Sequence, residues 1–350
     1  MITIFSRSVA TFACVLLFPF ADASALEPGE GIVLDPVTGN YRLTYTDELE
    51  NGSKVLAHAT FFPATKIVPA ITSQFHLDQR GAVTYSYSVS SGTRSRQILD
   101  TVRFILFNKV AGSQDLPTHM QAATLEQVAA VFEANKLALT TPTGWDGFIS
   151  TNQSGASRIT WNPIKSGVGV RPGDAQQGFG FTSQNLPGLG TAQFKGERGA
   201  INGFSGEGPN PASDISKQIQ ALYQNDFVTL PTAVPTIAVP APFDPAVTLE
   251  HIQAHMHTWI AKQLIDPAFS SQLDSHFQAA INTYRNQGQA GNGQVGRMIA
   301  LLVQQYEELE RGDEELVKKK SAVSAQIDKL AALVLYFDLK YVMQRANGGN

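Results

Sequence analysis

The chain has 350 residues, a formal net charge of -4 and 43% hydrophobic residues, enough apolar material for packed cores rather than wholesale disorder. A mildly acidic balance without a clustered basic face argues against nucleic acid as a partner. At roughly 100–200 residues per domain, this length predicts two domains.

Arg7 gives residues 1–25 a positive start, Val9–Phe20 an apolar core, and Ala23-Ser24-Ala25 a small-residue end. That order predicts a signal peptide cut between Ala25 and Leu26, hence a secreted protein, periplasmic or extracellular. The apolar run is short of the ~20 residues a membrane span needs, so no transmembrane anchor is expected after cleavage. The single cysteine, Cys14, falls inside this segment, and Thr11-Phe12-Ala13 before it is a poor lipidation context. Cleavage would leave a chain without thiols, excluding disulfides, thiolate catalysis and cysteine-bound zinc or iron–sulfur clusters.

From residue 30 to 205 the hydrophobic period is two. Tyr41, Leu43 and Tyr45 alternate with polar neighbours, and Val55–Phe62, Ala70–Leu77 and Ala82–Val89 continue the pattern. Val102–Val110 is more continuously apolar and predicts a central strand buried on both faces. Thr124 caps an expected helical insert near 124–136, built on Leu125, Val128, Ala129 and Phe132. Strands are expected again at Phe148–Ser150, Arg158–Trp161, Phe179–Thr182 and Thr191–Phe194. Short strands at even spacing predict an antiparallel, Ig-like β-sandwich.

Over 206–247 the pattern predicts a helix (Asp214–Asn225) and then a semi-rigid linker, Val228–Pro245, with prolines at 231, 235, 240, 242 and 245. Residues 248–345 read as four helices: Leu249–Leu264 capped by Thr248, Gln272–Gln287 capped by Ser271, Gln294–Arg311, and a last one beginning at Ser321. Short connections between them predict a bundle. The fold class expected is therefore multidomain, all-β followed by all-α.

Two stretches resemble known families. Trp161-Asn162-Pro163, Gly169-Val170-Arg171-Pro172-Gly173, Gly178–Ser183 and Leu186-Pro187-Gly188 resemble the later part of uncharacterised secreted bacterial β-sandwich proteins. Residues 249–345 resemble the FIMAH-type helical domain of secreted bacterial proteins, through Leu264-Ile265, Leu273 with Ala279-Ala280-Ile281, the Gly288–Gly293 turn and Leu330–Leu333. The chain departs from that pattern in its charged tail and in Tyr336–Tyr341. Neither resemblance implies catalytic residues.

His251 and His255, four apart on a predicted helix, are the candidate metal pair, with core-boundary histidines as the simpler reading. His257 points elsewhere on that helix, and no glutamate completes an HExxH motif. Gly203–Glu207 lacks the last glycine of a nucleophile elbow. Asp35, Asp47, Glu48, Glu50, Asp100, Asp146 and Asp174 supply carboxylates for a glycosidase pair but fall in turn signals. Tyr41, Tyr45, Tyr85 and Tyr87 would stack on sugars if they shared an open sheet face; buried cross-strand pairs are the alternative. Glu307–Glu315 and Lys318–Lys320 read as a solvated face with i,i+4 pairs, interrupted at Gly312, with a calcium or partner site as the alternative. Asn51-Gly52-Ser53 and Asn152-Gln153-Ser154 match the glycosylation sequon. The function expected is a secreted, non-enzymatic binding or structural module with an extracellular glycan or envelope protein as partner and no cofactor. The alternatives are a secreted hydrolase acting on polysaccharide or peptide, and a metal-responsive sensor through His251 and His255.

Overall fold

The computed structural model describes residues 26–49, 51–78, 81–106, 139–151, 157–197, 208–320 and 325–348. The expected leader, the helical insert at 124–136, the Gly203–Glu207 run, the sequon at Asn152 and the expected cap Ser321 lie outside them. The described residues form two compact units: one of residues up to Phe61 together with 208–224, the other of Phe62 to 197 together with 225–348. The boundary at Phe61 cuts through the stretch the sequence predicts as one sandwich.

The first unit is a three-stranded antiparallel sheet of β1 (Gly31–Leu34), β2 (Tyr41–Glu48) and β3 (Lys54–Phe61), with helix α1 (Asp214–Gln224). Period-two alternation sends Leu43, Tyr45, Ala57, Ala59 and Phe61 to one face, where they meet Ile215 and Ile219 of the helix. The Tyr223 ring stands edge-on to Phe61 at 4.8 Å. Asn51 accepts from the backbone N–H and the hydroxyl of Ser53, so this sequon is an Asx turn.

Among the described residues the second unit holds two large antiparallel sheets, a two-stranded antiparallel ribbon and four α-helices. The first sheet orders β4 (Pro69–Leu77), β5 (Val83–Ser91), β10 (Ala175–Ser183) and β7 (Leu139–Thr140). The other orders β12 (Val228–Ile237), β11 (Leu186–Gly196), β6 (Leu99–Leu106), β9 (Ser157–Pro163) and β8 (Trp145–Thr151). Rings from both sheets meet in the core. Tyr87 is 4.4 Å from Phe104, while Trp161 stands edge-on to Phe104 at 5.4 Å and to Phe179 at 5.7 Å.

The β6 strand is central, as its apolar run predicts, but only one face is buried: Val102, Phe104 and Leu106 point inward and Thr101, Arg103 and Ile105 are half-exposed. The proline-rich stretch differs more. Val228–Ile237 is the edge strand β12 rather than a linker. Pro231 and Pro235 share the parity of Ala233, whose N–H and C=O face away from β11 toward the Ser73 hydroxyl (3.4 Å) and the Tyr87 hydroxyl (2.7 Å). Proline is tolerated there because its missing N–H is not one the ladder uses.

Four helices follow: α2 (Pro245–Ala261), α3 (Pro267–Gln287), α4 (Asn292–Gln305) and α5 (Lys329–Ala346). They share one continuous core with the sheets. The most buried of them, α5, packs against both β11 and β12. A bundle standing apart from the sheets is therefore not what forms. The caps also differ from expectation. Asp244 and Asp266 cap α2 and α3 with proline at the first helical position, and Asp328 caps α5. An Asp-Pro start supplies both an acceptor for the free N–H groups and a fixed φ, and so outcompetes Thr248 and Ser271.

The acidic run is not α-helical and holds only a 3-10 turn at Leu309–Arg311. The α4 helix ends at Gln305, and Tyr306–Glu307 (β13) pairs with Lys318–Lys319 (β14), setting Glu307 opposite Lys318. Arg311 pairs with Glu308 at 2.7 Å instead of with Glu307. The intervening loop docks along β4: Phe75 donates to the Gly312 carbonyl (2.9 Å), and Glu314 donates its N–H to Ser73 (3.0 Å). The Glu314 carboxylate accepts from the Ser73 N–H at 2.9 Å. Burial raises this carboxyl above its ordinary range, against the pull of that hydrogen bond. Gly312 lies at φ 66°, and a Cβ there would come within 2.3 Å of the Phe75 carbonyl. No helix among the described residues is long and apolar enough to cross a membrane.

Candidate binding face

The outward positions of the five-stranded sheet fall into register across its strands. Phe148, Thr160, Arg103, Gln193 and Thr229 form one row. Arg158, Ile105, Thr191 and Pro231 form the next on one side, and Asp146, Asn162, Thr101 and Lys195 lie on the other. With strands about 4.8 Å apart, five of them span about 19 Å.

A cleft of about 530 Å³ opens at the Lys195 end, lined among others by Asp100, Thr101, Asn162, Lys165, Lys195 and Glu197. The Thr101 hydroxyl donates to the Asn162 amide oxygen at 3.1 Å, and the Ser166 hydroxyl donates to the Glu197 carboxylate. Lys195 Nζ lies 4.0 Å from the centre of the Phe227 ring, and the Arg103 guanidinium 4.6 Å from it. The Arg103 Nε also donates to Thr160 Oγ1 at 3.3 Å. Burial, and then the Arg158 charge, lowers the Arg103 pKa from its ordinary value. The Arg158 side chain has no hydrogen-bond or ion-pair partner among the described residues.

The sequence-predicted residues are placed elsewhere. His251 Nδ1 lies 2.7 Å from the Ala238 carbonyl, and His255 Nε2 accepts the Leu189 N–H at 2.9 Å. The two histidines thus tie α2 to different places on the sheet, His251 just after β12 and His255 on β11. Burial, with a smaller push from Lys262, lowers His255 to about 4. The imidazole is neutral at pH 7 and carries its proton on Nδ1, since Nε2 is the acceptor. Its contribution to stability is full above the unfolded value of about 6.5 and is lost as pH falls through 4. His257 and Asp274 pair at 2.7 Å between α2 and α3, where Gln253 also donates to Asp274 (2.8 Å). Among the described residues no group of three or more His, Cys, Asp or Glu is placed to hold a metal ion.

The four tyrosines do not share a face. Tyr41 and Tyr45 belong to the first unit, while Tyr85 and Tyr87 are buried in the second. Of the carboxylates, Asp35 accepts within its own turn and Asp47 is buried in β2; Asp100 alone among those named lines the cleft. Arg103, Arg158, Lys195 and Phe227 were not singled out by the sequence. The alternation in β6 and β9 sets the arginines on one face, but only the strand order brings β6 beside β9 and Phe227 over both cations.

The docking of α2 on β11 is tight at Gly188, where a Cβ would come within 2.0 Å of Thr236 Oγ1 and 2.5 Å of His255 Nε2. Gly188→Ala is therefore expected to displace the imidazole from the Leu189 N–H and cost about 1–3 kcal/mol. Chemical denaturation at pH 7 measures it; an unchanged midpoint would show that α2 shifts freely on the sheet.

Neither the protein-family models nor the curated proteins contain a match to this chain. Among solved structures, the chain is similar to a crystal structure of an uncharacterized protein from Nocardia farcinica with an immunoglobulin-like fold. The match has 14% identity and a TM-score of 0.25, and covers 47% of this chain and 98% of that one. At that score the likeness carries no weight, and the β-rich, antiparallel character of the chain rests on its own strand registers.

Proposed function

We propose that the protein is a secreted, non-enzymatic module of the bacterial cell surface or extracellular space that binds a glycan chain across the outer face of the five-stranded sheet. The observation that carries this reading is the three registered rows of mostly polar side chains, with Phe148 among them, continuous with an open cleft. An open face about 19 Å wide fits an extended polymer better than an enclosed small molecule. Export is supported by Arg7, the Val9–Phe20 apolar core and the Ala23-Ser24-Ala25 end. The ring contacts between the sheets support an Ig-like sandwich as the presenting scaffold.

A second reading, a polysaccharide hydrolase, is favoured by one observation: Asp100 and Glu197 line the same cleft. Native electrophoresis of the full chain through gels containing neutral or acidic polysaccharides, with reducing ends assayed in parallel, separates the two. Retarded migration without release of reducing ends is the expected result. Unretarded migration in every gel would overturn the binding reading, and sugar release abolished by Glu197→Gln would establish the hydrolase.

A further inference from the structure

Arg103 and Arg158 stand on adjacent antiparallel strands. Arg103 faces Thr160, and Arg158 is two residues before Thr160, so the arginines are diagonal neighbours about 7–8 Å apart at Cα. Both are half-buried and project from the same outer face. Close like charges held partly out of water are unfavourable unless an anion offsets them, and the described residues supply none. Among the described residues the Arg103 side chain bonds only to a neutral hydroxyl and a ring face, and the Arg158 side chain to none. Lys195 lies against the same Phe227 ring, 4.0 Å from its centre.

We propose that this arginine pair is the specificity point of the binding face and that the polymer it takes is an acidic polysaccharide of uronic acid residues. The inference rests on the glycan-binding reading above and narrows its ligand. Guanidinium forks match planar carboxylates with two parallel hydrogen bonds, which makes arginine the side chain suited to this charge. Uronate chains carry a carboxylate on every sugar, so both arginines engage one strand of polymer. Phe148, in the same row as Arg103, offers an apolar ring for a sugar face. Asp100, Asp146 and Glu197 gather toward the cleft end, so the anion is directed to the arginine end.

The test is affinity electrophoresis of the full chain in gels carrying polygalacturonate, uncharged galactomannan or dextran sulfate, with Arg158→Gln, Arg103→Gln and Arg158→Lys as variants. Thermal melting of each variant reports that the fold is intact. The wild type is expected to be retarded most by polygalacturonate, with affinity about tenfold weaker in Arg158→Gln and partly restored in Arg158→Lys. Retardation by galactomannan alone would overturn the uronate assignment and leave the glycan-binding reading standing. Equal retardation by dextran sulfate would reduce the patch to general polyanion attraction and overturn it too. If no gel retards the chain, both readings fall together. Folded glutamine variants that still bind polygalacturonate at full strength would overturn the role of the arginines alone.

Discussion

Replacing Trp161 with alanine is expected to cost about 3–5 kcal/mol, the range for removing a large aromatic side chain from a packed core. The indole is fully buried and stands edge-on to Phe104 in its own sheet and to Phe179 in the other. Its Nε1 donates to Thr141 Oγ1 at 3.3 Å, and it overlies Gly147, where a Cβ would come within 2.7 Å of that nitrogen. Removing it opens a void between two sheets that other contacts hold apart, so the site cannot collapse fully. Guanidinium titration followed by far-ultraviolet circular dichroism measures the loss. Trp161→Phe should recover most of it, and a loss below about 1 kcal/mol for the alanine would show that the sheets close over the gap.

The second large effect has the opposite sign. Asp338 is fully buried in the middle of α5, and neither carboxyl oxygen has a hydrogen-bond partner among the described residues. A polar group left unmatched in this way costs about 1–3 kcal/mol, so Asp338→Leu, close in volume, is expected to raise stability by that amount. Burial also holds the Asp338 carboxyl well above its ordinary range. Its folded value exceeds its unfolded one, so the wild type has its full stability at this residue below about pH 3.9 and loses it as pH rises toward the folded value. The advantage of the leucine variant should therefore be smallest near pH 4 and grow by up to about 1.4 kcal/mol per pH unit above it. Parallel melts of both proteins from pH 4 to 8 measure the difference. An advantage that stays flat or shrinks with pH would show that Asp338 ionises freely in the native state.

Much of the strand pattern was legible because period two is local: β2 to β6 and β8 to β11 each overlap a predicted segment, and α1 falls within a residue of its expected span. What the sequence hid was partnership. Tyr41 and Tyr85 carry the same local signal, and only the chain's division after Phe61 assigns them to different sheets. The histidine pair has metal-ligand spacing, yet the backbone of Ala238 and Leu189 occupies it. Prolines at 231 and 235 suggest a linker by density but an edge strand by their even spacing, and density was the weaker guide. The binding face was the least legible part, since Arg103, Arg158 and Lys195 come from three strands and Phe227 from the start of a fourth.

The docking of residues 312–314 along β4 has a bearing on how this chain behaves among copies of itself. An open strand edge is a template on which another extended chain can add, the first step toward aggregates. Here the outward N–H groups of Ser73 and Phe75 and the Ser73 carbonyl are already taken by Gly312 and Glu314. At the β12 edge, Pro231 and Pro235 offer no donor, and the groups of Ala233 belong to Ser73 and Tyr87. At these two edges the protein forecloses strand addition with its own side chains and its own loop, a safeguard that works in any redox environment.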